Sequence, residues 1–399
     1  RDRRAGSAMT AFLTWFIGRL PIGWLQLTHN RGRLTAALAG VAFANVLIFM
    51  QLGFLGALFT AIMKPYLLMN AEIMLSAPDG NTMSDGSNIA RQFLYQVAAD
   101  GNVADATPLF IGRFPWELDN GDSVILEVYG VDPEKSVVLL PEIEAAREKL
   151  KLPDTILVDV KSRGLDKATR ARIEGGERVA FEYNGRTLTV AGGFTLGGGF
   201  ESDGYAVVSD QTFLRMFPKR SSGAPNHVLV RAAPGVDPKT LASQLARTLP
   251  ADQVQVRTSV DAANHDRAYQ TTKRPIGVVF GFGVLIGILV GIVIVYQVLS
   301  ADVADHLGEY ATLKAIGYRQ RFFLGIVFEE AAILALLGFI PGMVLSLILY
   351  KLAAAGTGLP IAMDPLRAVI VLTGTLFMCT LSGALATRRL AGADPADLF

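Results

Sequence analysis

The sequence predicts a membrane protein with four transmembrane α-helices and a large extracytoplasmic α+β domain between the first and second helix. Hydrophobic residues form 51% of the 399 residues and charged residues only 18%, a balance that soluble domains rarely show. Four apolar runs are long enough to cross a bilayer: residues 34–61, 276–299, 322–350 and 367–386. Pro341-Gly342 is expected to interrupt the third run. Residues 65–272 contain no such run, which indicates a domain outside the membrane.

The composition excludes several classes of function. The net charge is +1, so the chain lacks the basic footprint of a nucleic-acid-binding protein, and we expect no nucleic acid among its partners. The one cysteine, Cys379, lies in an apolar run, which indicates a buried free thiol and no intrachain disulfide. The four histidines are scattered, and neither a Walker A motif nor a Gly-x-Ser-x-Gly motif occurs. We therefore expect no catalytic residue, no metal site and no cofactor held by this chain.

Residues 9–30 form an N-terminal segment that we expect to lie at the membrane interface. Trp15 and Trp24 are two of the three tryptophans, and Pro21 should break a helix between them. A helix that packs on another subunit is the alternative. The preceding residues 1–8 are either an expression remnant or a natural basic terminus. No cleavable signal peptide is evident, because no small-residue cleavage pattern follows the first apolar stretch.

Basic residues beside the spans predict the orientation of the chain. Arg31 and Arg33 precede the first span, and Arg388 and Arg389 follow the fourth. Because basic flanks of this kind remain on the cytoplasmic side of a membrane, both termini should be cytosolic. The domain between the first and second spans is then extracytoplasmic, and residues 351–366 form a short outer loop.

The large domain divides into two outer pieces and an insertion. Residues 65–132 and 223–272 are each predicted to form strands and helices that fold against each other. Between them, residues 133–222 show an alternation of helices and strands of their own. Within the insertion, Asn184-Gly185 separates two strand-like runs and predicts a β-hairpin. This layout indicates a split domain that carries an inserted subdomain.

A polar segment at residues 301–321 separates the second and third spans. Its charged side chains have to lie outside the bilayer core, where each would cost several kcal/mol. Residues 309–316 are mostly helix formers without proline or glycine, and Gly317 supplies a stop signal. We therefore predict a short cytosolic helix held on two membrane helices. It is either a solvated loop or a lever on which a cytosolic partner pushes.

Small and acidic residues inside the spans allow two interpretations each. Gly283, Gly287 and Gly291 recur every fourth residue, which permits close contact between two helices, although glycine is also simply common in membrane helices. Glu329 and Glu330 lie about two turns inside the third span. They either contact an ion or substrate or form a buried polar tie to a neighbouring helix, and the tie is the favoured interpretation.

The segment between the second and third spans resembles a motif of ABC transporter permeases. The run from Glu309 to Tyr318, Glu-Tyr-Ala-Thr-Leu-Lys-Ala-Ile-Gly-Tyr, is similar to the E-x-x-x-L-[KR]-A-[IM]-G-x segment of the MacB/LolC/FtsX superfamily, in a form nearest to the DevC branch. Residues 21–27 and 39–54 also resemble DevC-like permeases. The run from Ala386 to Leu398, most of which lies in the cytosolic tail at residues 387–399, resembles the superfamily's closing A-x-R-x-x-x-x-x-D-P-x-x-[LI] motif.

This resemblance implies a bacterial inner-membrane permease of a DevBCA- or MacAB-like tripartite exporter. In the superfamily the segment is a coupling helix, which would place Glu309, Tyr310, Leu313, Lys314 and Gly317 against a separate cytosolic ABC ATPase dimer that binds ATP and Mg. A periplasmic membrane-fusion adaptor and an outer-membrane TolC-like channel would receive the substrate, and membrane lipids would surround the spans. By its layout, the large domain resembles the split porter-like domain with an inserted subdomain of MacB and LolC.

The resemblance also bears on assembly. The family's dimer interface follows the first and second helices, which would assign Gly40 and Ala44 to it together with Gly283, Gly287 and Gly291. Four helices do not easily enclose a large translocation path, so we expect a homodimer that transmits motion instead of forming a conventional pore. A heterodimer stays open.

Two other functions stay open as well. Within the superfamily, LolC-like permeases extract lipid or lipoprotein from the membrane, and FtsX regulates a cell-wall hydrolase. Outside the superfamily, a transmembrane sensor with an extracytoplasmic ligand domain is a distant alternative. The argument against a sensor is that no cytosolic segment is long enough to form a signalling domain. The sequence does not name a substrate, although the likeness to DevC suggests a lipid or glycolipid.

Overall fold

The computed structural model describes residues 22–391 with few gaps. The gaps are residues 307, 310, 311, 314 and 315, together with the side chains of residues 320 and 388–391. The chain divides into two compact units. The helical unit comprises the residues up to 55, residues 279–352 and those from 361 onward, and the α/β unit comprises residues 56–278 and 353–360.

The described residues form helices at both ends of the chain and alternating strands and helices between them. The helices are α1 (Ile22–His29), α2 (Arg31–Leu68), α3 (Gln92–Ala98), α4 (Pro141–Ala146), α5 (Lys167–Glu174), α6 (Asp210–Met216), α7 (Pro238–Thr248), α8 (Ser259–Thr272), α9 (Pro275–Asp305), α10 (Gln320–Thr357) and α11 (Pro365–Ala391). The strands are β1 (Ile73–Ser76), β2 (Val103–Glu117), β3 (Ser123–Val131), β4 (Thr155–Asp159), β5 (Val179–Tyr183), β6 (Arg186–Phe194), β7 (Gly204–Ser209), β8 (His227–Ala232) and β9 (Gln255–Thr258). A 3₁₀ turn, Arg147–Lys151, extends α4.

Four of the described helices, α2, α9, α10 and α11, are long and apolar enough to cross a membrane. The α/β unit lies between the first two of them in the chain, which confirms the predicted fold class. Helix α2 has 38 residues and is therefore about 57 Å long, whereas the hydrocarbon of a bilayer is roughly 30 Å thick. Part of α2 thus extends outside the bilayer. These are the features of a multi-pass membrane protein.

The third span is continuous, so the predicted interruption at Pro341-Gly342 is wrong. Helix α10 runs through both residues. Proline removes one helical hydrogen bond, but membrane helices tolerate it where neighbouring helices hold them in place. Gly342 lies against α2, since an added Cβ would lie 2.8 Å from Asn45 Cβ and 3.0 Å from the carbonyl oxygen of Ala42. This glycine therefore permits close helix contact and does not mark a break.

Helix α2 forms the centre of the helical unit because it contacts each of the other three spans. On α10, the Tyr350 hydroxyl donates to the backbone carbonyl of Phe49. On α11, the Thr375 hydroxyl donates at 2.5 Å to the side-chain oxygen of Asn45, which is completely buried. The glycines of α9 also lie against α2, as described below. Hydrogen bonds between helices are a recurring means of association where no water is present.

The strands form one nine-stranded mixed sheet in the order β5-β6-β4-β7-β3-β2-β8-β1-β9. Strand β3 runs parallel to β7, and β4 runs parallel to β6, whereas the other neighbours are antiparallel. Neighbouring residues such as Val128 and Tyr129, or Ala206 and Val207, enter two different hydrophobic clusters. Because successive side chains of a strand point to opposite faces, both faces of the sheet are covered there.

The long strand β2 joins the two halves of the sheet. Its first part, up to Leu109, pairs with β8, and its second part, from Phe110 onward, pairs with β3. Strands β1, β8 and β9 lie on one side of it, and the strands contributed by residues 133–222 lie on the other. The predicted domain boundaries at 133 and 222 stay predictions, because the sheet is continuous across them.

Local patterns predicted most of these elements but not all of them. The hairpin at Asn184-Gly185 is confirmed, since β5 pairs with β6 and both turn residues have positive φ, 51° and 70°. The sequence pattern does not predict β7, α6 or α8. Strand β7 has six residues, all buried, so no alternating pattern distinguishes it from other short apolar runs.

Candidate functional site

The segment between α9 and α10 forms a short helical turn that ends at Gly317. Residues 308, 309, 312 and 313 are helical, and a turn follows at 316 and 317. The Tyr318 amide donates to the carbonyl of Leu313 at 3.1 Å. Gly317 has φ +107°, a conformation that side chains with a Cβ rarely adopt. Gly317 thus lies in the turn where the sequence predicts a helix stop.

Leu313 attaches this segment to the helical unit. Its side chain is half-buried and packs against the cluster that contains Trp24 and Leu27 of α1 and Phe323 of α10. The rings of Tyr318 and Phe322 are also in contact, with centroids 4.7 Å apart. The segment is therefore packed against the helical unit through Leu313 and against the start of α10 through Tyr318.

The outer surface of the segment combines charge with exposed apolar side chains. Ile316 is 72% exposed and Tyr318 is 47% exposed. Glu309 is also exposed, and its carboxylate lies 3.2 Å from His306 Nδ1. Exposed apolar side chains mark a contact surface where they form a contiguous patch, to which Ile316 and Tyr318 would both contribute. Of the predicted contact residues, Tyr310 and Lys314 lie outside the described residues, whereas Glu309, Leu313 and Gly317 belong to the segment.

Ion pairs hold the end of α9 beside α2. The Arg33 guanidinium lies 3.6 Å from the Asp302 carboxylate and also pairs with Asp305. Asp302 is 3% exposed, so its charge is withdrawn from solvent next to this arginine. Breaking a pair of this kind leaves a buried charge without its partner, which costs about 3–5 kcal/mol. The contact thus fixes α9 where it enters the segment.

Glu330 of α10 is completely buried and lies beside Asp302. Gly23 of α1 covers it, since an added Cβ there would lie 2.8 Å from Glu330 Cγ. Neither carboxylate oxygen of Glu330 receives a hydrogen bond from the described residues. The neighbouring residue Glu329 also interacts with other groups of the protein. The position of Glu330 fits a buried polar tie between α1, α9 and α10, a role that stays a prediction.

The glycine stripe of α9 faces the neighbouring helix of the same chain. An added Cβ at Gly283 would collide with the Gln51 side chain, and one at Gly287 would lie 2.9 Å from Ile48 Cγ1. Both partners belong to α2. The glycine spacing of α9 therefore permits close packing of α9 on α2 within one chain.

The other small residues at this contact behave in the same way. An added Cβ at Gly291 would collide with the Met378 sulfur and would lie 3.0 Å from Ala44 Cβ, and one at Gly40 would collide with Ile294. Their predicted assignment to a contact between two copies of the chain stays a prediction. The face of α9 that remains open carries larger apolar side chains, which the glycine spacing did not reveal.

The described part of the segment and of the spans offers no group of three or more histidine, cysteine, aspartate or glutamate side chains able to hold a metal ion. Its features are a short helical turn, a half-buried anchor at Leu313 and the ion pairs of Arg33 with buried Asp302 and exposed Asp305. Such an arrangement is suited to docking and to transmitting a displacement.

The C-terminal part of the chain is similar to a known protein family. Residues 281–395 match the family model described as FtsX-like permease C-terminal. This range contains the segment between α9 and α10 and most of the residues of α9, α10 and α11. No curated protein gave a significant match to the chain.

Three solved structures are similar to about half of the chain. The periplasmic region of MacB from Actinobacillus actinomycetemcomitans is 12% identical over 49% of this chain and 92% of that one, with a TM-score of 0.33. The extracellular domain of the ABC-type transporter YknZ from Gram-positive bacteria is 11% identical over 47% and 98%, with a TM-score of 0.34. A domain of a putative permease protein from Porphyromonas gingivalis is 14% identical over 49% and 89%, with a TM-score of 0.30.

Proposed function

We propose that this chain is the permease subunit of an ABC transporter, which transmits ATP-driven motion of a separate cytosolic ATPase dimer to the α/β unit. The single observation that carries the proposal is the segment between α9 and α10. It presents exposed Ile316 and Tyr318 while Leu313 packs into the core of the helical unit. The match of residues 281–395 to the FtsX-like permease C-terminal family supports it.

The charge distribution supports a cytosolic position for this segment. Arg31 and Arg33 flank the start of α2, and Arg319 and Arg321 flank the start of α10. Positive residues next to short loops favour the cytoplasmic side. We accordingly assign both termini and the segment to the cytosol, and the α/β unit to the opposite side, with the chain in the bacterial inner membrane.

A push on the segment would travel through packed groups. When the ATPase dimer closes, Ile316 and Tyr318 move with its surface, and Leu313 carries the displacement to α1 and to the start of α10. The ion pairs of Arg33 with Asp302 and Asp305 hold α9 to α2, so these helices tilt together. Packed interiors transmit strain because they have little free volume.

We further propose that the transporter is a tripartite exporter of lipid or glycolipid, with a periplasmic membrane-fusion adaptor and an outer-membrane TolC-like channel. A pull-down in mild detergent from native membranes, followed by mass spectrometry, tests these partners. An ATPase with an adaptor supports the exporter. An ATPase with a hydrolase or lipoprotein carrier assigns the chain to a regulatory or lipid-extracting task instead, and the absence of any ATPase contradicts the permease proposal and favours a sensor.

The substitution Ile316→Asp tests the docking surface. It places a charge on the exposed apolar side chain, so co-purification of the ATPase should weaken at least tenfold while the thermal unfolding midpoint stays unchanged. Ile125→Asp is the matched control, because Ile125 is also an exposed isoleucine, 46% accessible, but lies on β3 of the α/β unit. Equal ATPase recovery from both variants would contradict the proposal. Leu313→Asp is less informative, because this side chain packs in the core.

A further inference from the structure

A cavity in the α/β unit has one apolar wall and one acidic wall. Its volume is about 70 Å³. The apolar wall is formed by Leu58, Ala61 and Ile62 of α2 and by Ile276. The polar wall carries three carboxyl groups and an amide, and none of the described residues that line the cavity is basic. The carboxyl and amide side chains are Glu127, Glu201, Asp266 and Gln270, and the hydroxyl-bearing residues Thr82, Ser84, Ser202 and Tyr205 line the cavity beside them.

Two of the three carboxyl groups are already paired with arginine. Arg113 lies 3.1 Å from Glu127 and also binds Glu201. Arg274 binds Glu201 from another side. Burial raises the pKa of Glu201 and the arginines lower it, so that its pKa lies below the usual value. Arg274 also lies 3.8 Å from Asp85, so two guanidinium groups are shared among the three carboxylates of Glu127, Glu201 and Asp85.

Asp266 is the carboxyl group without a cation. It is 4% exposed, and its Oδ2 accepts hydrogen bonds from the Tyr66 hydroxyl at 3.0 Å and from the Met83 amide at 3.2 Å. Its Oδ1 has no hydrogen-bond partner among the described residues. The same holds for Oε1 of Gln270, which is 5% exposed. The Gln270 side chain also forms a hydrogen bond with Asp266. Two residues that line the cavity thus each keep one buried oxygen without a donor among the described residues, which costs about 1–3 kcal/mol per group.

We propose that this cavity binds a primary ammonium group carried on a short apolar chain. An ammonium group supplies the positive charge that Asp266 lacks and N–H donors for Asp266 Oδ1 and Gln270 Oε1. An anion would be repelled by the unpaired carboxylate, and an alcohol would supply one donor and no charge. The apolar wall accommodates the carbon chain. Nothing covalent is involved.

The size of the cavity limits the ligand to a small group. A cavity needs roughly 10–15 Å³ for each water molecule, so about 70 Å³ accommodates roughly five. A chain of four carbons and one nitrogen has the same number of non-hydrogen atoms. A metal ion is a poor alternative, because the described residues contain no group of three or more side chains able to ligate one.

This inference deepens the proposed function by naming the ligand chemistry of the α/β unit. The ammonium group has two possible sources, a soluble alkylamine or the amine head group of a membrane lipid. Both present the same chemistry to Asp266. Binding requires neither ATP nor an ATPase, so this inference and the docking of the ATPase on Ile316 can fail independently.

The test uses the full chain in phosphatidylcholine nanodiscs and n-butylamine as the probe, with 1-butanol and butyrate as chain-matched controls. Saturation-transfer NMR measures binding. We expect butylamine to bind and both controls to bind at least tenfold more weakly. Equal binding of butylamine and 1-butanol would overturn the inference. Competition by phosphatidylethanolamine in the nanodisc would identify a lipid amine as the source, and its absence would identify a soluble amine.

Two variants locate the site. Asp266→Asn should weaken butylamine binding at least tenfold, and Gln270→Leu should weaken it severalfold, because each removes one acceptor. Asp252→Asn makes the same change of charge at an exposed position that does not line the cavity and should leave binding unchanged. The inference is wrong if folded Asp266→Asn and Gln270→Leu proteins both bind butylamine like the wild type.

Discussion

Buried polar side chains hold the loops of the α/β unit in place. Asp159 is completely buried, and its carboxylate accepts backbone N–H groups from Lys161, Leu196 and Gly197 at 3.0, 3.1 and 2.7 Å. Burial raises the pKa of Asp159, and these hydrogen bonds counteract the increase. The contacts with Leu196 and Gly197 join residues far apart in the chain, so no local sequence pattern indicates them.

At the same scale, we predict that ionised Asp266 reduces stability. Burial raises the pKa of Asp266 from 3.8 to about 6. The folded state therefore holds more protons than the unfolded state between these pH values, and stability falls as pH rises through this window. Asp266→Asn keeps a side-chain oxygen that accepts hydrogen bonds from Tyr66 and Met83 but cannot ionise. The variant therefore avoids the pH-dependent loss of stability, which is about 3 kcal/mol at most.

Thermal unfolding of the full chain in detergent at pH 4 to 8 measures the effect. The midpoint of Asp266→Asn should exceed that of the wild type above pH 6 and approach it near pH 4. Tyr66 and Asp85 are the titratable groups that act on Asp266, and both are present in both proteins, so the difference between the two curves isolates Asp266. A difference that does not change with pH would contradict the pKa shift.

Among the elements, glycines set the distances between the spans. Gly342 of α10 lies against the backbone of Ala42 and the Cβ of Asn45, whereas Gly281 of α9 has no atom within 4 Å of an added Cβ. The two glycines are similar in sequence context, since each lies in an apolar span. Only the packing of the helices distinguishes them.

At this scale, we predict that Gly342→Ala destabilises the chain by about 1–3 kcal/mol, because the added methyl group overpacks the contact with α2. Gly281→Ala is the control and should be neutral or slightly stabilising, because alanine is the better helix former. Thermal unfolding midpoints in the same detergent compare the two. If the Gly342→Ala protein is as stable as the Gly281→Ala protein, α2 and α10 do not pack closely at Gly342.

For the whole molecule, α9 presents the most open face. Only 17% of its span is buried, against 33% for each of the other three spans. The exposed apolar residues recur at intervals of three and four along one side of the helix. They are Val279, Phe282, Ile286, Leu289 and Val293. Because the glycines of α9 pack inside the chain, we predict that this face contacts a second copy.

The assembly prediction is that two chains cross-link through α9. Phe282→Cys, in a Cys379→Ser background, should form a disulfide-linked dimer in native membranes under mild oxidation. Phe377→Cys on α11 is the matched control, since Phe377 is 63% exposed and Phe282 is 61% exposed. It should remain monomeric on a denaturing gel. Cross-linking through Phe377 alone would assign the dimer contact to α11 instead.

The sequence by itself determined the four spans, the α+β domain between the first and second, and the Gly317 turn. A run of apolar residues, an Asn-Gly pair or a glycine after helix formers acts through local backbone preference and hydrophobicity, which are properties of the segment alone. The tertiary structure decided which face each side chain presents. It placed the glycines of α9 against α2, exposed Ile316 close to the half-buried anchor Leu313, and left Asp266 without a cation. These outcomes depend on contacts between residues that are far apart in the chain. No local pattern in a single sequence indicates which distant residues come into contact.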